Sequence, residues 1–434
     1  MNLVRFFLLL AVLIVPLRVL AAPNDLPSRC FVCAAASEAA YSGELLRARL
    51  VAAGWRIASY ETAGEKGTVG RFFHMVRTDE DGAETHLIAF PGTERGSDVW
   101  TDLRLGRVAF GGDSPAEFLA VRDRRVAERS ETPLVHRGFL DYVQAALFTD
   151  VLPAYGSRTA GEVIADELRA HPTARIYLTG HSLGGAAAVL AAARLSDMGV
   201  SAEQLVVTTF GAPAVGNAAF VRRYEGRFTL HRVVMSGDPM KDVLAAPLGF
   251  QQFGECVPWS PARSVAKFPH AMMVYVDAAI RQIYDAYGGD NAFLFLMGLP
   301  NRTEGRTLYV LPIETELDDT LAEDAPYMTA VLRDALHVQN ASVVFAAGGG
   351  GLSADGLLSG LSSHLAAARA AGAEQMVAYR IAGAKIRDAR ETYRLTLERA
   401  VYDRDGNLLA AGSRSARTGA LTPIETVLYL FAQD

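Results

Sequence analysis

Gly180-His181-Ser182-Leu183-Gly184 constrains this chain more than any other stretch. The apolar run 175–179 before it reads as a buried strand. The alanine-rich segment after it reads as a helix over 183–195. A serine flanked by glycines two residues away on each side, between strand and helix, has the spacing of a nucleophile elbow. Such a turn forces unusual backbone angles on the serine and brings strand and helix so close that its flanks tolerate little beyond glycine. The helix that follows aims free N–H groups and its positive dipole end at the turn, where an oxyanion would develop.

The surrounding pattern agrees with that placement. Strands are expected at 55–60, 71–76, 86–90, 175–179, 205–210 and 230–235, and helices at 45–53, 138–147, 161–171 and 183–195. Strands alternating with helices imply a mainly parallel sheet covered on both faces. The fold class expected is α/β: an α/β-hydrolase domain followed by a smaller α/β accessory domain.

A length of 434 residues suits two or three domains. Half the residues are hydrophobic and 21% are charged, which excludes wholesale disorder. A net charge of −6 argues against a nucleic-acid binder. Residues 1–22 combine Arg5, an apolar core over 6–15 and small residues at Ala21 and Ala22. Pro16 and Arg18 interrupt the run, so it reads as a cleaved export signal rather than a membrane span. The expected location is therefore periplasmic or secreted. Three cysteines exist, Cys30, Cys33 and Cys256. In an oxidising compartment a structural disulfide is the expectation, with the pairing open.

A nucleophilic serine needs a base and an orienting carboxylate, which follow in the order Asp, His in a hydrolase of this kind. Asp238 lies just past the strand 230–235, at the edge of the sheet where function belongs. Asp242 is the runner-up. His270, in Phe268-Pro269-His270-Ala271, stands in a loop entering a helix. His231 precedes Asp238 and is out of order, while His136 and His181 belong to other local motifs.

Several further segments carry a resemblance. Ala89-Phe90-Pro91-Gly92-Thr93, the run 97–103, Val135-His136-Arg137-Gly138-Phe139, Phe210-Gly211-Ala212-Pro213, the segment 250–255 and His270 with Tyr275 follow one another in order around the serine motif. Together they resemble the fungal-type triacylglycerol lipases, or class 3 lipases, over roughly 34–287. The resemblance implies Ser182 as nucleophile, His270 as general acid/base and Asp238 as orienter. It implies an oxyanion hole from Thr93 and the N–H of Leu183, a lid over 95–105 and a lipid ester substrate at a lipid–water interface. It implies no metal and no organic cofactor. Two departures stand out: Pro91 occupies a position where the family usually has arginine, and Asp238 and His270 are only 32 residues apart. The charged stretch 106–133, with Arg122, Asp123, Arg124, Arg125 and Glu128, reads as a solvated surface helix or as an enlarged lid.

After residue 287 the composition changes. Strands are expected at 308–313, 342–345 and 375–381, helices at 326–337, 357–371 and 423–431, and a hairpin at 393–413 turning at Asp405-Gly406. This part faintly resembles the TolB amino-terminal and curli-secretion type of domain. It has no catalytic constellation, so a binding role with an envelope partner is the expectation. The organisation expected is a signal at 1–22, a hydrolase domain at 30–290 and an accessory domain at 305–434. The competing class is an envelope binding or scaffold protein with an inactive hydrolase shell, and occupied triad positions favour the enzyme.

The lid reading makes Trp100 the large amphipathic side chain at the lipid boundary. Trp100→Ala should then lower activity on emulsions far more than on a soluble short-chain ester. A packing role would instead lower both alike, through a stability loss of about 3–5 kcal/mol. Paired assays with a melting curve separate the two.

Overall fold

The computed structural model describes residues 25–41, 46–47, 50–51, 54–63, 68–78, 84–92, 106–123, 131–149, 156, 158–244, 249–266, 269–288, 307–340, 342–353, 358, 360–387, 392–419 and 421–433. The export signal, Thr93, Trp100 and the whole of 95–105 lie outside them. The described residues divide into two compact units. One holds those of Leu17–Ser260 and Pro269–Val276, the other those of Pro261–Phe268 and Asp277–Asp434.

The first unit runs α1 (Leu26–Ala39), β1 (Arg56–Ala63), β2 (Val69–Thr78), β3 (Glu84–Phe90), β4 (Arg107–Ala109), α2 (Pro115–Asp123), β5 (Leu134–His136), α3 (Arg137–Leu147), α4 (Ala160–Ala170), β6 (Ile176–His181), α5 (Leu183–Asp197), β7 (Leu205–Phe210), α6 (Ala218–Tyr224), β8 (Thr229–Met235) and β9 (Glu255–Trp259). Helix α7 (Met272–Tyr287) begins in it. Among the described residues the main sheet has the order β1-β2-β3-β6-β7-β8-β9. Strands β1, β2 and β3 pair antiparallel, and β3 through β9 in that order pair parallel. The expected α/β class with a mainly parallel sheet is observed. Strands β6 and β7 are buried along their whole length, which is why they read as continuous apolar runs rather than alternating ones.

Register brings the strand ends level. Phe90 pairs with Gly180, His181 with Phe210, and Phe210 with Val233. The residues just past β3, β6, β7 and β8 therefore share the carboxyl edge, where ligands bind in such sheets. Helix α5 is buried along nearly its whole length, and small side chains predominate in it: Ala186, Ala187, Ala188, Ala191, Ala192 and Ala193 are fully buried.

Two expectations change here. The cysteines form no disulfide: Cys30 and Cys33 are free thiols buried on α1, and Cys256 is free and exposed on β9. Burial pushes the Cys33 thiol up to about 11, so it is a protonated, inert group. The stretch 106–133 is not simply a solvated face either. Helix α2 buries Phe118 and Arg122, and Arg122 pairs with Asp123 at 2.8 Å and Asp141 at 3.4 Å. The buried Arg194 guanidinium lies 3.9 Å from the ring centres of both Phe110 and Phe118, and donates to the Gly111 carbonyl at 2.7 Å. Arg124, Arg125 and Glu128 lie outside the described residues.

The second unit contains β10 (Thr307–Val310), β11 (Glu314–Leu317), α8 (Ala325–Gln339), β12 (Ser342–Phe345), α9 (Leu361–Ala370), β13 (Gln375–Lys385), β14 (Tyr393–Asp403), β15 (Leu408–Arg417) and α10 (Pro423–Ala432). Its sheet has the order β12-β10-β13-β14-β15, with β11 also on β13. Strands β10 and β12 are parallel, as are β10 and β13, and the hairpin β14–β15 completes it antiparallel. Helix α10 opens with a reciprocal capping box between Thr422 and Glu425. Beside these elements, Asp277 pairs with Arg281 at 2.7 Å, Arg281 also pairs with Asp324, and Ser264 donates to Asp324 at 3.1 Å.

Burial holds the Asp324 carboxyl up at about 6, above its ordinary 3.8, despite Arg281 beside it. Between about pH 4 and pH 6 the folded state thus binds this proton more readily than the unfolded chain. The contribution of Asp324 to stability declines as pH rises through that window. Asp324→Asn cannot ionise and removes the decline. Its melting temperature relative to wild type should rise from pH 4 to pH 7; a difference that stays flat with pH would contradict this.

Candidate active site

Ser182 caps the turn between β6 and α5 at φ 56° and ψ −122°. Among the described residues it is the one non-glycine with positive φ. That geometry is strained for an L-residue and persists only where the surroundings over-determine it. The surroundings here leave no room for β-carbons. A Cβ on Gly180 would lie 2.3 Å from the Gly184 carbonyl carbon, and one on Gly184 would lie 2.1 Å from the Phe90 oxygen. Leu183 opens α5, so its N–H is one of the helix's four free amide donors.

The three residues expected to act together are brought together. His270 Nε2 lies 3.1 Å from Ser182 Oγ, and His270 Nδ1 lies 2.9 Å from Asp238 Oδ2. Asp238 is buried, and its second oxygen accepts the Met240 N–H at 2.9 Å. Tyr275 donates its hydroxyl to Asp238 Oδ2 at 2.6 Å. Burial works to raise the Asp238 carboxyl, but hydrogen bonds from His270 and Tyr275 outweigh it and hold the group below its ordinary value. Asp238 is therefore a carboxylate at neutral pH and accepts the Nδ1 proton of His270.

The alternatives lie elsewhere. Asp242 is paired with Lys241. His231 sits in β8, 3.3 Å from Glu255. His136 is buried and caps α3, accepting the Phe139 N–H at 3.4 Å. Thr93 lies outside the described residues, whereas Pro91 and Gly92 at the end of β3 are described. In place of arginine contacts, the Pro91 carbonyl accepts from the Tyr142 hydroxyl at 3.4 Å, and the Arg71 carbonyl accepts from it at 2.8 Å. The role of Tyr275 was not readable from the residues alone. Its signals are its place one turn into the helix that follows His270 and its part in the family resemblance, which assigns it no role.

Residues 87–246 match the family model for lipase (class 3). This segment is a class 3 lipase domain. A lipase of Rhizopus niveus is 34% identical over 119 residues, covering 27% of this chain and 28% of that one. A phospholipase A1 of Oryza sativa, A1-II 4, is 27% identical over 231 residues, covering 47% of this chain and 54% of that one. The chain spans only 28% to 35% of the length of the first fungal and nematode lipases it matches. The solved triacylglyceride lipase of Rhizomucor miehei superposes with a TM-score of 0.39 at 22% identity, over 53% of this chain and 78% of that one. Among the described residues no group of three or more His, Cys, Asp or Glu is placed to hold a metal ion.

Gly211 is packed directly against the triad carboxylate. It takes φ 54°, and a Cβ there would lie 2.5 Å from Asp238 Oδ2 and 2.8 Å from the Tyr275 hydroxyl. Gly211→Ala should displace the carboxylate from His270 and lower turnover of a soluble p-nitrophenyl ester by about 10²-fold, the scale of an ångström misplacement. Kinetics with a circular dichroism melt check this; unchanged turnover would show that the carboxylate tolerates the shift.

Proposed function

We propose that this protein is a serine hydrolase that cleaves carboxylic esters of lipids, with acylglycerols as the first substrate class. The observation that carries the reading is the continuous hydrogen-bonded series Ser182–His270–Asp238, with its serine held at the N-terminus of α5. His270 Nε2 takes the Ser182 proton as Oγ bonds the ester carbonyl carbon. The carbonyl oxygen gains the negative charge and meets the Leu183 N–H, with Thr93 as the second donor by family resemblance. Collapse breaks the ester C–O bond, and His270 returns the proton to the leaving alcohol. Water then repeats the sequence on the acyl-serine and releases the acid. Asp238 holds the tautomer of His270 that keeps Nε2 free to accept, and stabilises the imidazolium that forms.

Phospholipid is the second substrate class. The rice relative named phospholipase A1 shares the longer of the two matches described, which supports keeping it in view. Export of the protein rests on the residue pattern at 1–22 and on a Gibberella zeae relative, named as a secreted mono- and diacylglycerol lipase, that is 44% identical over 61 residues. Whether that places it in the periplasm or outside the cell belongs to the same proposal. So do the division at 30–290 and 305–434 and an envelope partner for the C-terminal unit, which rest on sequence pattern.

Purified protein should hydrolyse p-nitrophenyl butyrate, and Ser182→Ala should lower that rate on the order of 10⁴-fold or more. Equal rates for the two would overturn the enzyme reading. A series of emulsified triacylglycerol, monoacylglycerol and phospholipid then ranks the substrate classes.

A further inference from the structure

His181, the residue before the nucleophile, is fully committed to hydrogen bonds that serve no step described so far. Its Nε2 lies 2.8 Å from the backbone carbonyl oxygen of His270, and its Nδ1 lies 2.8 Å from the Tyr41 hydroxyl. Its ring centre is 4.6 Å from that of His270. A carbonyl oxygen only accepts, so Nε2 carries the proton. A neutral imidazole has one N–H, so Nδ1 accepts and the Tyr41 hydroxyl donates. Burial, with His270 adjacent, holds His181 down to about 3, so the ring is neutral wherever the triad would work.

Tyr41 is itself located by the fold. It follows α1, and its N–H donates to the Glu38 carbonyl at 3.0 Å. Four residues earlier, Ser37 Oγ meets Thr179 Oγ1 at 3.1 Å, and Thr179 donates to the Thr208 carbonyl at 2.7 Å. Ser37 and Tyr41 thus register α1 against the strand that ends just before the nucleophile. The end of β3 is shaped to the same hydroxyl: a Cβ on Gly92 would lie 1.8 Å from Tyr41 Oη and 2.7 Å from the His181 oxygen.

We propose that Tyr41 and His181 are positioning residues, a two-bond chain that holds the main chain at His270 and so keeps its imidazole over Ser182. The chain ties three segments together: the end of α1, the elbow and the histidine loop. The kinetic part of the test rests on the hydrolase reading above; a spectroscopic part does not.

With the full chain and p-nitrophenyl butyrate, His181→Leu should lower kcat by about 10²-fold with KM within about twofold, as expected of a misaligned catalytic group. His181→Gln offers one donor and one acceptor and should return kcat to within about tenfold of wild type. Tyr41→Phe, which deletes a single oxygen, should cost about tenfold alone and nothing further in the His181→Leu background, because both act through one chain. Separately, spectra of ¹⁵N-histidine-labelled protein should show His181, assigned by its loss in His181→Gln, as the Nε2–H form from pH 5 to pH 9. Its slowly exchanging N–H should be lost in Tyr41→Phe. Unchanged kcat in Tyr41→Phe and His181→Leu, a glutamine variant no better than leucine, additive losses, or a proton on His181 Nδ1 would each overturn the proposal. If wild type and Ser182→Ala hydrolyse alike, the hydrolase reading fails alone, and the spectra still decide: an Nε2–H form whose slow exchange is lost in Tyr41→Phe supports the chain, and slow exchange kept in Tyr41→Phe or the Nδ1–H form overturns it.

Discussion

A turn with no room for a β-carbon organises this molecule. At Gly180, Gly184 and Gly185 the backbone of β6, the start of α5 and the end of β3 approach to distances that any side chain would block. That closeness sets where α5 begins, and with it where the free amide of Leu183 points. It also suits the composition of α5, whose first buried turns are glycine and alanine from Gly184 to Ala188. The nucleophile stands at the tip of the contact and moves only if the contact moves.

The electrostatics follow from what the same edge buries. Asp238 is nearly inaccessible, and an isolated carboxylate there would take up a proton. Donors from His270, Tyr275 and the Met240 amide keep it ionised. The opposite outcome holds at His181, where burial wins and holds the ring down to about 3. One sheet edge therefore keeps a charged carboxylate beside a neutral histidine: donors stabilise the Asp238 anion, whereas a single carbonyl acceptor at His181 does not offset burial and the neighbouring His270.

Much of the lipase domain was legible because its signals are local. The elbow announces itself through glycine spacing, β6 and β7 through unbroken apolar runs, and the order Ser182, Asp238, His270 through the strand each residue follows. What escaped reading was set by tertiary contacts. Helix α1 is buried on nearly every side, so it has no polar stripe to mark it, and its Cys-x-x-Cys pointed to a disulfide that is not formed. Strand β9 contains Pro258, which cannot donate to a ladder, and survives because it is the sheet's last strand. Arg122 read as surface charge because nothing local reveals that it is buried against Asp141. Tyr275 and His181 escaped for the same reason: their partners lie 37, 89 and 140 residues away.

The backbone strain at Ser182 shows where stability is given up for chemistry. A non-glycine residue at positive φ outside the usual left-handed basin costs roughly 1–3 kcal/mol. It cannot relax here, because its N–H donates to the Phe210 carbonyl at 2.9 Å and its carbonyl accepts the Ala186 N–H at 3.2 Å. Releasing either bond inside a buried sheet would leave a peptide group unpaired, at a cost comparable to the strain itself. The glycines on both sides block the remaining routes, since any rotation drives backbone into backbone. Strain, hydrogen bonding and close packing thus act on the same six residues from 180 to 185. The serine hydroxyl reaches His270 because every other arrangement of that turn is worse.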